Sequence, residues 1–402
     1  MVKTGMFNWK WLFATVAVVA MGVGSAGVIW AQKPPIKIGV LYSLTGVYSF
    51  PSKHGIQGVK LAFDEINNEI AGRKIELLIE DDAAPDVAVG LTKARKLVER
   101  DKVNVLMGII WSPTGVAVAK YATEQKVPLV LSEAAPRELT QENRSPFVFR
   151  TSFAAGQTTY PGGKYYCRNM SYKKLVVIGF DSVFGRQLGD YVENGCKESG
   201  GAVIEKIYAP VGTPDFAPYL AKIQALNPDA VYAVWAGSAA IRFLKQYKEY
   251  GLKEKYPLLG FGSLSSDEVL KEAGDAALGV VTDYFYSASL DNPENKRFVQ
   301  EYTRKYGEGP AVYSDGGYSA ARAIREALIA INGEVENQEK FLTALRKVRW
   351  QDPRGPLRFD PYQQSIINVY ILRVQKVGDH LGNVPIETLK DVEQYWPKGK
   401  PR

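Results

Sequence analysis

Short apolar runs alternate with amphipathic segments from residue 35 onward. The runs IKIGVLY, KIELLIED, VNVLMGII and VPLVLS have the length and composition of buried strands. The segments between them, GIQGVKLAFDEINNEI, VAVGLTKARKLVERD and PTGVAVAKYATEQ, carry apolar residues at helical spacing. This alternation predicts a parallel sheet that is covered by helices on both faces.

A second series of the same kind follows SPFVFRTSFAAGQTTY. Its predicted strands are KLVVIGF, AVIEKIY, DAVYAVW, PLLGF and GVVTDYFY, and its predicted helices are GRQLGDYVENGCKE, APYLAKIQAL and AIRFLKQYKEY. The last part is less regular. Helices predicted near 293–306, 314–331 and 337–347 precede a β-hairpin or edge pair in GPLRFDPYQQSIINVYILRVQKVGDHLGNV. Late helices followed by late strands indicate that a distant segment completes each lobe.

The predicted fold is therefore α/β, with two Rossmann-like lobes on parallel sheets and three interlobe crossovers near residues 150, 283 and 351. A chain of 402 residues is too long for one typical core, which agrees with two lobes. Lobe 1 is predicted to comprise residues 34–150 and 284–350, and lobe 2 residues 151–283 and 351–402.

Residues 1–31 have the pattern of a signal peptide. Lys3 and Lys10 precede or flank a long apolar stretch, and no acidic residue is present. The pattern predicts a secretory leader that is cleaved after Ala26 or Ala31. The apolar stretch is also long enough to span a bilayer, so an uncleaved membrane anchor is the alternative.

The net charge bears on the class of partner, and the cysteines allow a disulfide. The net charge of +7 falls by two when the leader is removed, and no block of like charge is present, so no nucleic-acid partner is expected. Export allows a disulfide between Cys167 and Cys196, the two cysteines of the chain. Two free thiols on neighbouring helices are the alternative.

Enzyme motifs are scarce. The P-loop, C-x-x-C and H-E-x-x-H patterns are absent. Ser319 lies in a segment that approximates a nucleophile elbow, but this segment falls inside a predicted helix. His54 and His380 have no evident partner for general-base chemistry and are expected at the surface. We therefore expect a protein that is not an enzyme and that uses no metal and no other cofactor.

Aromatic residues recur beside small or hydroxylated ones at the ends of the predicted strands. Open α/β sheets bind ligands at the carboxyl ends of their strands, so these residues predict a shared, mostly apolar pocket with a few polar groups. The candidates are Tyr48, Trp111, Ser112, Ser132, Glu133, Ala134, Ala135, Asp181, Phe184, Trp235, Phe261, Gly262 and Tyr284.

One candidate suggests an anion site. The sequence MGIIWSPTG predicts a buried strand that is followed by a helix with Ser112 as its N-cap and Pro113 as its first residue. The free N–H groups and the positive end of the dipole at such a helix start favour an anion. A capped helix without a ligand is the alternative.

Several segments resemble one family. IKIGVLYSLTGVYS, RKIELLIEDD, KVPLVLSEAAPRELT, NPDAVYAVWAG and DPRGPLRFDPYQQ are similar to periplasmic substrate-binding proteins of the branched-chain amino acid ABC-transporter family. The resemblance covers nearly all of the chain after the leader, in order. It implies a type I periplasmic binding protein fold, a periplasmic location, and a ligand held between two lobes.

The resemblance also implies the roles of individual residues. In the family, loops after first-lobe strands hold the ligand carboxylate through hydroxyl and backbone N–H groups. The matching positions here are Ser112, Thr114 and the segment from Ser132 to Ala135, with Trp111 as an adjacent wall.

One departure from the family pattern concerns the ligand. Amino-acid binders of the family carry an acid after the PLLG strand, where it pairs with the ligand ammonium, and this chain has Gly262 and Ser263 there. Burying an ammonium without a counter-charge costs several kcal/mol. With Phe184, Trp235 and Phe261 as bulk, the favoured ligand is an aromatic or other apolar carboxylic acid without an α-amino group.

Alternatives remain at this stage. Asp181 or Glu133 could supply the missing acid, which would make the ligand a branched-chain or other neutral amino acid. An uncleaved leader would make the chain a membrane-anchored ligand-sensing domain, and an enzyme on the same scaffold is a third class. The family resemblance implies an ABC-transporter permease and its ATPase as partners, and docking of the closed form favours a monomer.

Overall fold

Six strands form the first sheet, in the order β2-β3-β1-β4-β5-β6. The pairs are parallel except for β2 and β3, which are antiparallel. The computed structural model describes residues 1–2, 33–210, 212–397 and 399, so the predicted leader, apart from Met1 and Val2, lies outside the described residues. The strands are β1 (Ile36–Tyr42), β2 (Glu69–Ile70), β3 (Arg73–Asp81), β4 (Val105–Gly108), β5 (Leu129–Leu131) and β6 (Val148–Arg150).

The second sheet has the order β12-β13-β14-β11-β10-β9-β7-β8, with β15 paired to β14. Strands β7 to β11 pair with one another in parallel. The late strands extend this sheet in antiparallel pairs, beginning with β14 on β11, which confirms the predicted hairpin. The strands are β7 (Lys174–Phe180), β8 (Ala202–Ala209), β9 (Ala230–Val234), β10 (Leu258–Phe261), β11 (Val281–Tyr284), β12 (Arg349–Asp352), β13 (Gly355–Phe359), β14 (Ser365–Val377) and β15 (His380–Val392).

Helices cover both sheets, as the alternating pattern predicts. Among the described residues, no helix is both long and apolar enough to cross a membrane. The helices are α1 (Ser49–Asp64), α2 (Val87–Arg95), α3 (Ser112–Glu124), α4 (Thr159–Arg168), α5 (Val183–Glu198), α6 (Ala217–Leu226), α7 (Gly237–Glu249), α8 (Asp267–Ala273), α9 (Pro293–Tyr306), α10 (Val312–Ala330) and α11 (Gln338–Lys347).

Parallel strands are buried on both faces. Adjacent residues Val40 and Leu41 of β1 are both 0 % exposed and belong to different hydrophobic clusters. Their side chains point to opposite faces because side chains alternate along a strand. The continuous apolar runs in the sequence are explained by this double burial.

The first helix differs from its predicted bounds at both ends. It was expected over residues 55–70 but begins at Ser49 and ends at Asp64. Asn67 and Asn68 adopt positive φ angles of 54° and 53°, which turns the chain into the short hairpin of β2 and β3. The earlier start places His54 inside the helix, and it is 3 % exposed, so the expected surface position of His54 was wrong.

Glycines allow α1 and α10 to approach closely. A Cβ atom on Gly58 would lie 2.0 Å from the carbonyl oxygen of Ser314, and one on Gly317 would lie 2.1 Å from that of Gly55. Any larger residue at Gly58 or Gly317 would force the helices apart. Helix α10 also packs against β4 and β5, so its first turn lies beside the carboxyl ends of first-sheet strands.

The chain passes between the two sheets after β6, after β11 and before β12. Arg354, which is 0 % exposed, contacts the first two passages and the end of β12, which follows the third passage. Its guanidinium donates to the carbonyl of Thr151 (3.1 Å), lies 4.7 Å from the ring centre of Phe285, and pairs with Asp352 (3.4 Å). It also pairs with Asp315 of α10 at 2.5 Å.

A disulfide joins Cys167 of α4 to Cys196 of α5. Both residues are fully buried. The sequence left the pairing open, and the structure has the bonded form.

Candidate functional site

Tyr48 and Trp111 lie together at the carboxyl end of the first sheet. Tyr48 ends a short 3₁₀ turn after β1, and Trp111 follows β4. Their ring centres are 5.6 Å apart, and both side chains are half-buried. Two aromatic residues from separate strand ends therefore lie side by side at this edge of the sheet.

The start of α3 differs in detail from its prediction. The N-cap position belongs to Trp111, which is extended (φ −72°, ψ 117°), and Ser112 is the first residue of the helix. Ser112 was therefore wrongly expected as the N-cap. No side chain caps the helix start, so its first-turn N–H groups keep their capacity to bind an anion. Thr114 is 0 % exposed, and its Oγ1 has no hydrogen-bond partner among the described residues.

Several hydrogen-bonding groups of the segment from Ser132 to Ala135 already have partners within the protein. The N–H groups of Ser132 and Ala134 donate to the carbonyls of Gly108 and Ile109, and Ala135 accepts a bond from Ala155. The hydroxyl of Ser132 lies 2.8 Å from that of Tyr42. The expectation that backbone N–H groups throughout this segment hold a carboxylate was therefore wrong for Ser132 and Ala134, whose donors already have partners.

Glu133 is the exception in this segment. Its side chain is 7 % exposed, and Oε1 has no hydrogen-bond partner in the described part of the chain. Oε1 lies against Gly316 of α10, where a Cβ atom would come within 1.6 Å of it. Burial raises the pKa of Glu133 well above that of an ordinary glutamate, the positive charge of Arg354 lowers it, and the nearby Asp315 raises it.

A second group of aromatic rings lies at the end of β10 and β11. The ring of Phe261 at the end of β10 lies 5.1 Å from that of Tyr284, 5.8 Å from that of Phe184 and 5.4 Å from that of Phe153. Gly262 packs directly under this group, because a Cβ atom there would lie 2.0 Å from Cγ of Tyr284. The ring of Tyr284 thus fills the space that a side chain at position 262 would need.

Two polar groups beside these rings were not predicted from the sequence. Burial, followed by the neighbouring Tyr313, Glu133 and Glu268, raises the pKa of Tyr284. Tyr313 itself interacts with Tyr48, Glu133 and Glu268. The strand-end pattern could not identify Tyr313 and Glu268 because they lie in the first turns of α10 and α8, and no periodic signal marks them.

Two predicted residues lie elsewhere. Trp235 is 1 % exposed and packs in the second-lobe core, where its ring centre is 4.7 Å from that of Phe180 and 5.0 Å from that of Phe216. Its expected role in the ligand wall is therefore corrected to core packing. Asp181 is about half exposed and pairs with Arg186 at 2.7 Å, so its negative charge is already matched.

The side chains considered for catalysis have hydrogen-bond partners within the protein. Ser319 is fully buried in α10 and donates to Asp352 at 2.7 Å, while Arg354 donates to its hydroxyl at 3.0 Å. Nδ1 of His54 lies 2.9 Å from the hydroxyl of Tyr302. Across the described residues, no cluster of three or more His, Cys, Asp or Glu side chains could hold a metal ion.

Comparison of the sequence with known proteins shows which family the chain is similar to. A family model described as periplasmic binding protein matches residues 35–379. A curated relative, the Leu/Ile/Val-binding protein homolog 6 of Brucella melitensis biotype 1, is 29 % identical over 370 residues, which cover 90 % of this chain and 94 % of the relative.

Two solved structures are similar along nearly the whole chain. The ABC transporter substrate-binding protein from Sphaerobacter thermophilus is 36 % identical, with a TM-score of 0.87, and the match covers 90 % of this chain and 99 % of that one. The solute binding protein of an ABC transporter from Rhodopseudomonas palustris BisB5, in complex with 3,4-dihydroxybenzoic acid, is 31 % identical, with a TM-score of 0.83 and coverage of 90 % and 98 %.

Proposed function

Since the chain belongs to the periplasmic binding protein family, we propose that it is the substrate-binding component of an ABC importer, with an aromatic carboxylic acid lacking an α-amino group as its ligand. The ligand lies between the two lobes, and the loaded protein delivers it to a membrane permease and its ATPase. The leader carries the protein to the periplasm. In this proposal lobe 1 comprises residues 34–150 and 284–350, and lobe 2 comprises residues 151–283 and 351–402.

The observation that carries the ligand class is the packing of Tyr284 on Gly262. The ring occupies the place of a side chain at position 262, so the ammonium partner of amino-acid binders has no room there. An aromatic ligand would instead contact Tyr284, Phe261 and Trp111, and such contacts bury large areas at low entropic cost. A relative that holds 3,4-dihydroxybenzoic acid at 31 % identity supports the same class.

The carboxylate of the ligand binds at the start of α3. The uncapped N–H groups of the first turn and the positive end of the helix dipole favour an anion there. Ser112 lies in that turn, and the buried, unpartnered hydroxyl of Thr114 is available as a further donor. The aromatic rings cover the rest of the ligand and exclude water.

Binding of a neutral or branched-chain amino acid is the second candidate. The name of the curated relative favours it, and Glu133 and Glu268 offer carboxyl groups in the cleft. Both acids interact with Tyr284 and Tyr313, so they lie near one another, where an ammonium group would be attracted to them.

Isothermal titration calorimetry of the protein without its leader separates the two candidates. The panel pairs benzoate and 4-hydroxybenzoate with L-leucine and L-phenylalanine, so that ring and amino group vary independently. Binding of the two benzoates without binding of either amino acid supports the proposal. Binding of L-phenylalanine or L-leucine alone contradicts it and favours the second candidate.

A further inference from the structure

We propose that Glu133 binds the ligand as a neutral carboxylic acid and donates its proton in a hydrogen bond to a ligand oxygen. Glu133 would then determine specificity, by accepting ligands that offer an oxygen and rejecting those that offer an ammonium group. The inference rests on the proposed function and gives one residue of the same cleft a defined chemical role.

The first step is the lack of any other partner for the carboxyl group. Oε1 of Glu133 is buried against the backbone of Gly316 without a hydrogen bond from a described residue. A buried polar atom without a partner destabilises the fold and is seldom kept without a use. A bound ligand would supply the missing partner.

The second step is the charge balance around Glu133. Arg354 already pairs with Asp315 and Asp352, and all three side chains are 0 % exposed. Ionising Glu133 would add a negative charge that no basic side chain pairs directly in this largely buried site, which is unfavourable. Burial raises the pKa of Asp315 as well, but Arg354 pairs with Asp315 directly, whereas Glu133 has neither an ion pair nor a hydrogen bond from a described residue, so nothing offsets the cost of ionising Glu133.

Arg354 favours the ionised form of Glu133 through its positive charge, and the other groups that face Glu133 do not. Helix α10 presents Asp315 and Tyr313, the second lobe presents Tyr284, and β1 presents Tyr42; none of these can compensate a negative charge by bearing a positive one. The charged and titratable neighbours are Arg354, Asp315, Tyr313, Tyr284 and Tyr42. Burial raises the pKa of Glu133, which also favours its protonated form.

The third step is the consequence for the ligand. A neutral carboxyl group donates one hydrogen bond, which a carboxylate, phenol or carbonyl oxygen can accept and an ammonium cannot. An ionised Glu133 would instead repel an anionic ligand across a cleft of low dielectric. Affinity for an aromatic carboxylate should therefore fall as rising pH removes the proton from Glu133.

Calorimetry with 4-hydroxybenzoate tests the inference on wild type, Glu133→Gln and Glu133→Ala between pH 6 and pH 9. Because Gln can still donate a hydrogen bond and Ala cannot, Glu133→Ala should weaken binding about tenfold more than Glu133→Gln does. The loss of affinity with rising pH should be present in wild type and absent in Glu133→Gln. The exposed Glu124→Gln serves as the matched control and should keep the pH profile of wild type.

Equal losses in Glu133→Gln and Glu133→Ala, or an affinity of wild type that rises with pH, would overturn the inference. Failure of wild type to bind 4-hydroxybenzoate would instead overturn the proposed ligand. In that case ¹³Cδ-glutamate NMR decides the protonation separately, because the Glu133 resonance is the one absent from Glu133→Gln. A resonance that is already ionised at pH 7 contradicts the inference whatever the ligand is.

Discussion

The ring of Tyr284 lies so close to Gly262 that a Cβ atom on Gly262 would be 2.0 Å from Cγ of the ring. Gly262→Ala should therefore displace the ring and lower the free energy of unfolding by about 1–3 kcal/mol, as overpacking does. Urea unfolding measures this. Combining Gly262→Ala with Tyr284→Leu should cost less than the two changes added together, because the second makes room for the first. Strict additivity would show that the two residues do not compete for space.

Thr114 offers a change that should separate binding from stability. Its hydroxyl is buried without a described partner, so Thr114→Val should leave the melting temperature unchanged or raise it. The same change should weaken binding of an aromatic carboxylate by about 1–2 kcal/mol, because one donor to a charged group is lost. Calorimetry and thermal unfolding of the unliganded protein measure the two effects.

Thr123→Val in the same helix is the matched control for Thr114→Val. The Thr123 hydroxyl bonds to the carbonyl of Ala119 (2.7 Å) and to the hydroxyl of Ser145 (2.8 Å). Thr123→Val should therefore lower the melting temperature and keep the affinity. If Thr114→Val also keeps the affinity, the carboxylate does not bind at this hydroxyl.

The two tryptophans Trp235 and Trp111 should behave in opposite ways. Trp235→Phe should lower stability, by less than the roughly 3–5 kcal/mol of a change from Trp to Ala, and leave ligand affinity unchanged in the folded protein. Trp111→Ala should weaken binding with a smaller effect on stability, because Trp111 is only half-buried. Urea unfolding and calorimetry on both variants test the contrast, and a loss of affinity in Trp235→Phe would restore Trp235 to the ligand wall.

Asp283 should make stability depend on pH. It is fully buried on β11 and accepts hydrogen bonds from Tyr166 (3.0 Å) and Tyr232 (2.9 Å), yet burial raises its pKa from 3.8 to about 7. Between these values the folded state holds a proton that the unfolded state has released, so the free energy of unfolding falls as pH rises from about 4 to 7. A pKa that differs by one between the folded and unfolded states corresponds to roughly 1.4 kcal/mol.

Asp283→Asn should remove this part of the pH dependence, because an amide has no proton to release in that range. The measurement is the difference in urea unfolding free energy between wild type and Asp283→Asn at pH 4.5 and pH 7.5. We expect the variant to gain stability relative to wild type at the higher pH. A difference that is the same at both pH values would show that Asp283 ionises normally in the folded protein.

The order of elements could be predicted from the sequence because buried parallel strands are continuous apolar runs. KLVVIGF and APYLAKIQAL match β7 and α6 residue for residue. The early end of α1 could not be predicted, because the left-handed turn at Asn67 and Asn68 interrupts an apolar pattern that continues to Ile70. Local backbone geometry outweighs periodicity there.

Candidate site residues could be identified from the sequence only where they lie at the end of a strand or just after it. Tyr48 and Trp111 lie together because β1 and β4 end at one edge of the first sheet, and Phe261 and Tyr284 lie together because β10 and β11 end at one edge of the second sheet. Trp235 also ends a strand, but whether a side chain points into the cleft or under a neighbouring helix depends on packing. Tyr313 reaches the cleft through α10, far along the chain from the last strand of the first sheet, which ends at Arg150.

Arg354 connects segments of the chain that run between the two sheets. Its guanidinium contacts Thr151 in the first passage and Phe285 in the second and pairs with Asp352 at the end of β12, so these segments cannot move apart without breaking a buried hydrogen bond or ion pair. Such a loss costs several kcal/mol, far more than thermal energy. If the lobes move on ligand binding, as the proposed function implies, we therefore expect the smallest displacements near Arg354 and larger displacements farther from it.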